Sequence, residues 1–314
     1  MHQLVAQGDQ DALDPCDLVE DRADEDLDVA TRSPRIGDGL SATVHSVAEA
    51  IFERQGDLFL PTEATIGPWS REAQHGGPPT MLMARAVEGV EAVQPMRAVR
   101  LTVELLRPVP VKPLRVSARL VWGGRRVDRV EATLHADGVE VARALALRIR
   151  RQPLEVPIPE EEAPAPPPGK EIDWGSNAWG ASGWAKHSSE GNYGSLGVEL
   201  RLAGGTVTEP GPASVWVRLR RPVVAGEEPS PLMRSAAAAD FANGVSWVLD
   251  PTRFLFVNPD LSVHLRRQPA GEWICLAAQT HLSSDGIGVA EGVLYDLQGR
   301  IGAALQSLVV EPRG

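Results

Sequence analysis

From about residue 44 onward, apolar residues recur along the chain with two different periods, one typical of helices and one typical of strands. Residues 75–93 (HGGPPTMLMARAVEGVEAV) favour a helix of about four turns. Four segments with strand character follow it, at 96–109, 114–124, 126–138 and 139–150. In the second, alternate apolar residues fall on one face: Leu114, Val116, Ala118, Leu120 and Trp122. Asp137-Gly138 predicts a tight turn between the last two segments.

The same order of elements returns later in the chain, after a change of character. Residues 152–170 are dominated by Pro and Glu, which favours an extended linker, and residues 171–195 show no clear period. Two strand segments at 195–205 and 213–223 lead to a predicted helix at 230–250. Four further strand segments are predicted at 253–269, 272–284, 286–299 and 300–312.

The two halves match at a constant offset of 160 positions. The residues that coincide under this shift are Val103 with Val263, Leu105 with Leu265, Arg107 with Arg267, Glu131 with Glu291, Leu134 with Leu294, Val141 with Ile301 and Leu145 with Leu305. An offset kept through three loops indicates an internal duplication of one helix and an antiparallel sheet. Two such sheets can join edge to edge, which would remove two exposed sheet edges.

Charge separates one further segment from this repeat. The formal net charge is -11, and residues 1–30 alone hold ten acidic residues against one arginine, which gives -9. With few large apolar residues, this segment is predicted to be a disordered acidic tail. We therefore expect four regions: a tail at 1–43, an N-terminal domain at 44–151, a Pro/Gly-rich linker at 152–195 and a C-terminal domain at 196–314.

Several classes of protein are disfavoured by the sequence. It lacks a secretory signal pattern and an apolar run long enough to cross a membrane. The repeat contains no basic block for nucleic acid, and Cys16 and Cys275 form neither a disulfide framework nor a metal site. No motif of a serine esterase, a phosphate-binding loop or a metal centre is present, so neither metal nor cofactor is expected. The pattern predicts a soluble, cytoplasmic protein, and it leaves a homo-oligomer open.

Polar residues that differ between the two copies point to a candidate site, since a duplicated protein needs a working site in only one of its copies. Asn258 stands opposite Ala98, Gln306 stands opposite Ala146, and Asp240 lies in a helix whose twin carries Arg85 and Glu88 but no Asp. Each residue also has a plainer interpretation. Asp240 could be a solvated surface residue, Asn258 could cap a turn before Pro259, and Gln306 could face outward from an edge strand.

The order of motifs resembles the double hot-dog acyl-CoA thioesterases of the thioesterase II type, in the branch common in bacteria. The likeness covers about residues 45–312. It rests on HGGPP before a helix, VELLRPV, the Pro-rich linker, AAAADFANG, VNPDLSVHLRR, DGIGVAEGVLYD and GRIGAALQSLVV. It implies an α+β fold, a tandem hot-dog with two antiparallel sheets that are each wrapped around one long helix.

The resemblance also implies a catalytic set. In that family an Asp from the second helix, a Thr or Ser from the following strand and a Gln from the last strand hold the water that attacks the thioester. Asp240 matches the Asp and Gln306 the Gln, whereas Asn258 stands where the family often has a hydroxyl residue. A carboxylate can orient a water and take its proton, and two amides can fix the water's direction.

The opening of the first helix supplies the remaining candidates. Free backbone N–H groups at a helix N-terminus stabilise the negative charge that develops on a thioester oxygen. Gly76 and Gly77 fit this role, because a ligand can approach backbone closely where there is no Cβ. Pro78 and Pro79 suit a first helical turn. His75 could touch the ligand or only shape the helix entry.

These residues predict an acyl-CoA thioester hydrolase with an acyl-CoA substrate, acting in fatty acid metabolism. Two alternatives stay open at this stage. A non-catalytic acyl-CoA or lipid-binding protein would accord with Asn258. A hot-dog enoyl-CoA hydratase or dehydratase would need an Asp and a His together, and His75 with Asp240 could supply them.

Overall fold

A computed structural model describes residues 49–157, 168–172 and 191–313. The predicted tail at 1–43 and most of the predicted linker, including 158–167 and 173–190, lie outside these ranges. Within them, no helix combines the length and apolarity needed to cross a lipid bilayer.

The first copy begins with a hairpin that the sequence pattern did not reveal. It turns at Gly56, whose φ of 63° favours glycine. The elements are β1 (Phe52–Gln55), β2 (Leu58–Pro61), a 3₁₀ turn (Glu63–Thr65), α1 (Gly77–Glu88), β3 (Met96–Leu105), β4 (Leu114–Gly123), β5 (Val127–Ala136) and β6 (Val139–Arg150). The predicted helix and four strands are present. A register shift between Leu120 and Trp122 ends the predicted alternation, and both side chains are exposed.

The second copy repeats this order with two interruptions. Its elements are a π-helical turn (Tyr193–Gly197), β7 (Val198–Gly205), β8 (Ala213–Leu219), α2 (Pro231–Ala239), α3 (Ala242–Val245), β9 (Phe254–Val257), β10 (Asp260–Leu265), β11 (Ile274–Leu282), β12 (Ile287–Asp296) and β13 (Gly299–Pro312). The predicted helix at 230–250 therefore breaks at Asp240. The predicted strand at 253–269 breaks at Asn258-Pro259, since a proline cannot donate to a strand ladder. Both breaks fall on candidate site residues.

All thirteen strands of the described ranges belong to one antiparallel sheet. Their order is β1-β2-β4-β5-β6-β3-β10-β13-β12-β11-β8-β7, with β9 paired to β13. The expected α+β class with a large antiparallel sheet is confirmed. The sheets of the two copies join edge to edge, as expected from the duplication, through the pairing of β3 with β10, so that they form one continuous sheet.

The join between the copies is symmetric about one residue pair. Thr102 faces Ser262, its counterpart at the offset of 160, and their hydroxyl oxygens are 2.9 Å apart. On either side, Leu101 pairs with Val263 and Val103 with Leu261. This register is the one that two copies related by a local two-fold axis would produce.

The two long helices lie against the sheet and against each other. Helix α1 packs on β3 to β6, and α2 packs on β8 and β10 to β12. They run antiparallel: the start of α1 at Gly76 lies next to Asp240 at the end of α2, whereas Ser230 at the start of α2 donates a hydrogen bond to Glu88 at the end of α1. The helix pair therefore has two comparable ends: one where α1 begins and α2 ends, and one where α2 begins and α1 ends.

Candidate active site

Asp240 is placed by the end of helix α2. The helix is rich in small residues because it lies deep in the core, where Ala236 to Ala239 are all buried. Asp240 is its C-cap residue, with φ -73° and ψ -8°, and is only 4% exposed. A carboxylate buried to this degree must be stabilised by hydrogen-bond donors. The interpretation of Asp240 as a solvated surface residue is therefore excluded.

Three side chains converge on the Asp240 carboxylate. Asn258 Nδ2 donates to Oδ1 at 3.1 Å, and Gln306 Nε2 donates to the same oxygen at 3.2 Å. His75 Nδ1 lies 2.7 Å from Oδ2. A carboxylate has about four acceptor positions. Contacts from the described residues occupy three of them, which leaves Oδ2 one acceptor position for a further donor.

The His75 ring has two close contacts at one nitrogen, and they compete. Gly77 N–H points at Nδ1 from 3.2 Å, which needs a lone pair there, whereas the contact with Asp240 needs a shared proton. The contact with the carboxylate is shorter and charge-assisted, so we assign the proton to Nδ1 and treat it as the donor to Asp240. The ring is held between Tyr193 and Phe241, each with its centroid 4.8 Å away.

Gln306 lies behind the carboxylate on β13, with no exposed surface. Its Oε1 accepts the Asn243 backbone N–H at 3.0 Å, which fixes the amide so that Nε2 points at Asp240. It is not part of the cavity wall. Its position excludes the outward-facing edge-strand interpretation and makes it a support for Asp240. Asn258 lines the cavity, and its Nδ2 donates also to Asp260 O, so it both caps the turn and contacts Asp240.

The two glycines of HGGPP occupy different surroundings. Gly76 lines the cavity, and its N–H has no hydrogen-bond acceptor within the described ranges. A Cβ on Gly76 would lie 2.8 Å from both Asp240 carboxylate oxygens. Gly77 is buried behind it, where a Cβ would lie 3.0 Å from the Tyr193 ring. Of the two glycines, Gly76 is therefore the one that lies against the carboxylate and lines the cavity, with its N–H unused within the described ranges.

The cavity beside these residues measures about 430 Å³. Its wall is mostly apolar and aromatic, with Trp69 and Phe256 in an edge-to-face contact at 5.5 Å. Among the described residues, its charged or titratable lining residues are Asp240, His75 and Arg107. This combination of apolar wall and few convergent polar groups is typical of a small-molecule site. No set of three or more His, Cys, Asp or Glu side chains in the part of the chain described here could hold a metal ion.

Comparisons with known proteins identify the family. The acyl-CoA thioesterase N-terminal domain matches residues 65–149, and the acyl-CoA thioesterase C-terminal domain matches residues 159–310. The chain belongs to the acyl-CoA thioesterase family. The resemblance seen in the sequence is thereby confirmed. A search of curated proteins gave no match.

Solved structures similar to this thioesterase share its fold. A candidate thioesterase II from Thermobifida fusca YX is 22% identical with a TM-score of 0.61, over 84% of this chain and 96% of its own. A hot-dog protein of unknown function from Alicyclobacillus acidocaldarius is 16% identical with a TM-score of 0.60, over 87% and 99%. The acyl-CoA thioesterase II TesB2 from Mycobacterium marinum is 13% identical with a TM-score of 0.54, over 83% and 94%. At these identities the likeness shows the fold.

Sequence reasoning missed part of the thioesterase site. Tyr193 lies in a segment that the pattern marks as irregular, yet it has no exposed surface. Burial raises the pKa of its phenol well above the usual range, and the nearby Asp240 carboxylate adds to this shift. The local sequence indicates this burial only weakly, through a large aromatic residue placed between Asn192 and Gly194. Asn243, which orients Gln306, could have been noticed as a polar residue that follows the Ala-rich helix.

Proposed function

We propose that this thioesterase hydrolyses acyl-CoA thioesters with a water activated by Asp240, while Asn258 lines the water site and Gln306 orients the carboxylate. One observation carries the proposal. The buried Asp240 carboxylate keeps one acceptor position on Oδ2 and lies beside the open Gly76 N–H, at the wall of an apolar cavity. A base and an oxyanion donor are thus adjacent, as acyl transfer to water requires.

The reaction follows from these positions. Water donates one hydrogen bond to Asp240 Oδ2 and attacks the thioester carbonyl carbon, while its proton passes to the carboxylate. The carbonyl oxygen becomes an oxyanion that accepts the Gly76 N–H, and the positive end of helix α1 stabilises its charge. The tetrahedral intermediate then collapses, the carbon–sulfur bond breaks, and the proton held by Asp240 passes to the CoA sulfur. The products are a carboxylic acid and free CoA.

His75 acts through Asp240 in this scheme. Its Nδ1–H donates to Oδ2, which keeps the carboxylate turned towards the cavity, and the ring is packed between two aromatic side chains. The same residue forms part of the substrate wall next to Gly76. Gly77 contributes indirectly, since its lack of a side chain lets Tyr193 pack beneath the start of α1.

We also infer a tandem double hot-dog architecture, with the domain limits at 44–151 and 196–314, a linker at 152–195 and a tail at 1–43. The symmetric pairing of Thr102 with Ser262 and the hot-dog fold of a structural neighbour support this proposal. The substrates we expect are acyl-CoAs of cytoplasmic fatty acid metabolism.

The test is thiol release from acyl-CoAs of short, medium, long and aromatic acyl groups, with Asp240→Asn as the variant. The amide introduced by this substitution can keep the local contacts: its oxygen accepts from Asn258 and Gln306, and its NH₂ donates to the other His75 tautomer. The fold is thus preserved and the base is lost, so kcat is expected to fall by about 10²-fold or more. Asp137→Asn, on an exposed turn, is the matched control.

Three outcomes would contradict the proposal. Wild-type kcat in Asp240→Asn removes Asp240 as the base. Saturable acyl-CoA binding without thiol release for any acyl group would show a binding protein. Loss of an enoyl-CoA double bond without thiol release would show hydratase chemistry at His75 and Asp240.

A further inference from the structure

Arg107 and Arg267 are counterparts in the duplication, and the structure treats them differently. Arg267 forms a two-bond ion pair with Asp296, at 2.5 and 2.6 Å, and also donates to Gly299 O at 3.0 Å. Asp296 is fully buried and accepts two further backbone N–H groups, from Ala270 and Gln298. The positive charge of Arg267 is therefore used within the fold.

Arg107 lacks this partner because its copy has Ala136 at the position of Asp296. Across the described ranges, no carboxylate lies within ion-pair distance of Arg107, and its guanidinium donates no hydrogen bond there. The side chain is exposed and lies in the wall of the cavity that contains Asp240. One cation of the duplicated pair thus faces the active-site opening.

The loop that carries Arg107 is fixed against the catalytic segment. Gln74, next to His75, donates its backbone N–H to Val109 O and its Nε2 to Pro110 O, both at 2.8 Å. On the other side, Leu105 N–H donates to Pro259 O at 2.7 Å, next to Asn258. The backbone that carries Arg107 is therefore held in a set position relative to the thioester site by residues of both copies.

We propose that Arg107 binds a phosphate of the CoA arm and so directs this enzyme to CoA thioesters. The inference rests on the proposed function. The thioester group is neutral, and the negative charges of an acyl-CoA are the phosphates of its CoA arm. The rest of the cavity wall is largely apolar, so Arg107 is the lining residue suited to bind one of these phosphates. A guanidinium presents a planar fork of donors that matches phosphate oxygens. A second cation stands near the same opening, since Arg313 lies over the Trp69 ring at 5.5 Å.

The experiment compares kcat/KM for one acyl group carried by CoA, dephospho-CoA, phosphopantetheine and pantetheine. In Arg107→Gln the preference for acyl-CoA over acyl-pantetheine is expected to fall about tenfold, which corresponds to about 1.4 kcal/mol. The loss should lie mainly in KM and should shrink at high ionic strength, where exposed charges are screened. The carrier at which the difference between wild type and variant first disappears identifies which phosphate Arg107 contacts. Arg115→Gln, on an exposed residue paired with Asp57, is the control and should leave the ratio unchanged.

A second variant uses the duplication itself. Ala136→Asp places a carboxylate where Asp296 stands in the other copy, and it should neutralise Arg107 and reduce the preference as Arg107→Gln does. An unchanged ratio in Arg107→Gln overturns the inference. It is also overturned if the variant loses only acyl groups that end in a carboxylate, since Arg107 would then contact the acyl chain. If the wild-type enzyme releases thiol from none of the four carriers, the proposed function fails instead.

Discussion

Replacing Gly76 by alanine tests whether the start of α1 must come this close to the carboxylate. Gly76 has φ -64° and ψ -23°, which any residue adopts without strain, so the substitution does not disturb the backbone. The added Cβ would lie 2.8 Å from both Asp240 oxygens and 3.1 Å from its carboxyl carbon. The expected effect is therefore confined to the carboxylate.

The size of the effect follows from the contacts of Asp240. A carbon and an oxygen normally approach to about 3.3 Å, so the carboxylate must retreat by about 0.5 Å. It cannot swing away freely, because it is buried and three donors hold it at 2.7 to 3.2 Å. A misplacement of about 1 Å can cost on the order of 10²-fold in rate, so a shift of about half that size is expected to lower kcat about tenfold, about 1.4 kcal/mol in the activation free energy. Alanine at a helical position gains about 0.4–1 kcal/mol through the unfolded chain, which offsets part of the strain that the displaced carboxylate introduces, so the net change in stability should be small.

The assay is steady-state thiol release together with thermal unfolding. Gly89→Ala, at the other end of the same helix, is the matched control. It has φ -73°, and its new Cβ would meet only Ala86 O and Arg85 O, at 3.5 and 3.6 Å. It should retain wild-type kcat. A Gly76→Ala enzyme with wild-type kcat would refute the reasoning, because Asp240 would then tolerate a displacement that the mechanism does not allow.

Two further predictions concern buried charged or titratable groups away from the cavity. Arg148→Met leaves the Asp128 carboxylate buried without its two donors at 2.8 Å. The free energy of unfolding, measured in urea, should therefore fall by about 3–5 kcal/mol. A loss no larger than that of Arg143→Met, at an exposed position, would contradict this. Burial raises the pKa of the Cys275 thiol from 9.0 to about 12, so this thiol should not react with Ellman's reagent at pH 8 in the folded protein. The reagent should therefore titrate no more than one cysteine before unfolding and two afterwards. Two reactive cysteines in the native protein would contradict this. Since the folded state holds that proton more tightly, stability should decrease as the pH rises from 9 towards 12.

Local pattern predicts the strands of this fold well, because alternation and turn residues lie within the segment concerned. Strand β6 was predicted at its observed limits, Val139–Arg150, after the Asp137-Gly138 turn. The break of the second helix at Asp240 was missed, since AAAADFANG continues an apolar helical pattern. Tyr193 was missed because its burial depends on α1 packing over it through Gly77, which no nearby residue signals.

Comparison of the copies finds the candidate site but does not find it uniquely. It selects Asp240, Asn258 and Gln306, which the structure brings together. The same comparison would also select Asp128 and Arg148, whose counterparts are Gly288 and Leu308 and which form a buried structural pair. A polar residue present in one copy therefore indicates divergence. Only its burial beside a cavity distinguishes a candidate catalytic group from a packing change.

The two ends of the antiparallel helix pair show what a fused chain permits. At one end Gly76 leaves an opening beside Asp240, whereas at the other Arg85 bonds Glu227 and Ser230 bonds Glu88. If the halves were separate identical chains, every substitution would occur at both ends at once. Within a single polypeptide, each end can change alone. The end with Arg85 and Ser230 can then gain polar contacts that hold the two halves together. The end with Gly76 can lose side-chain contacts and so leave space for a substrate.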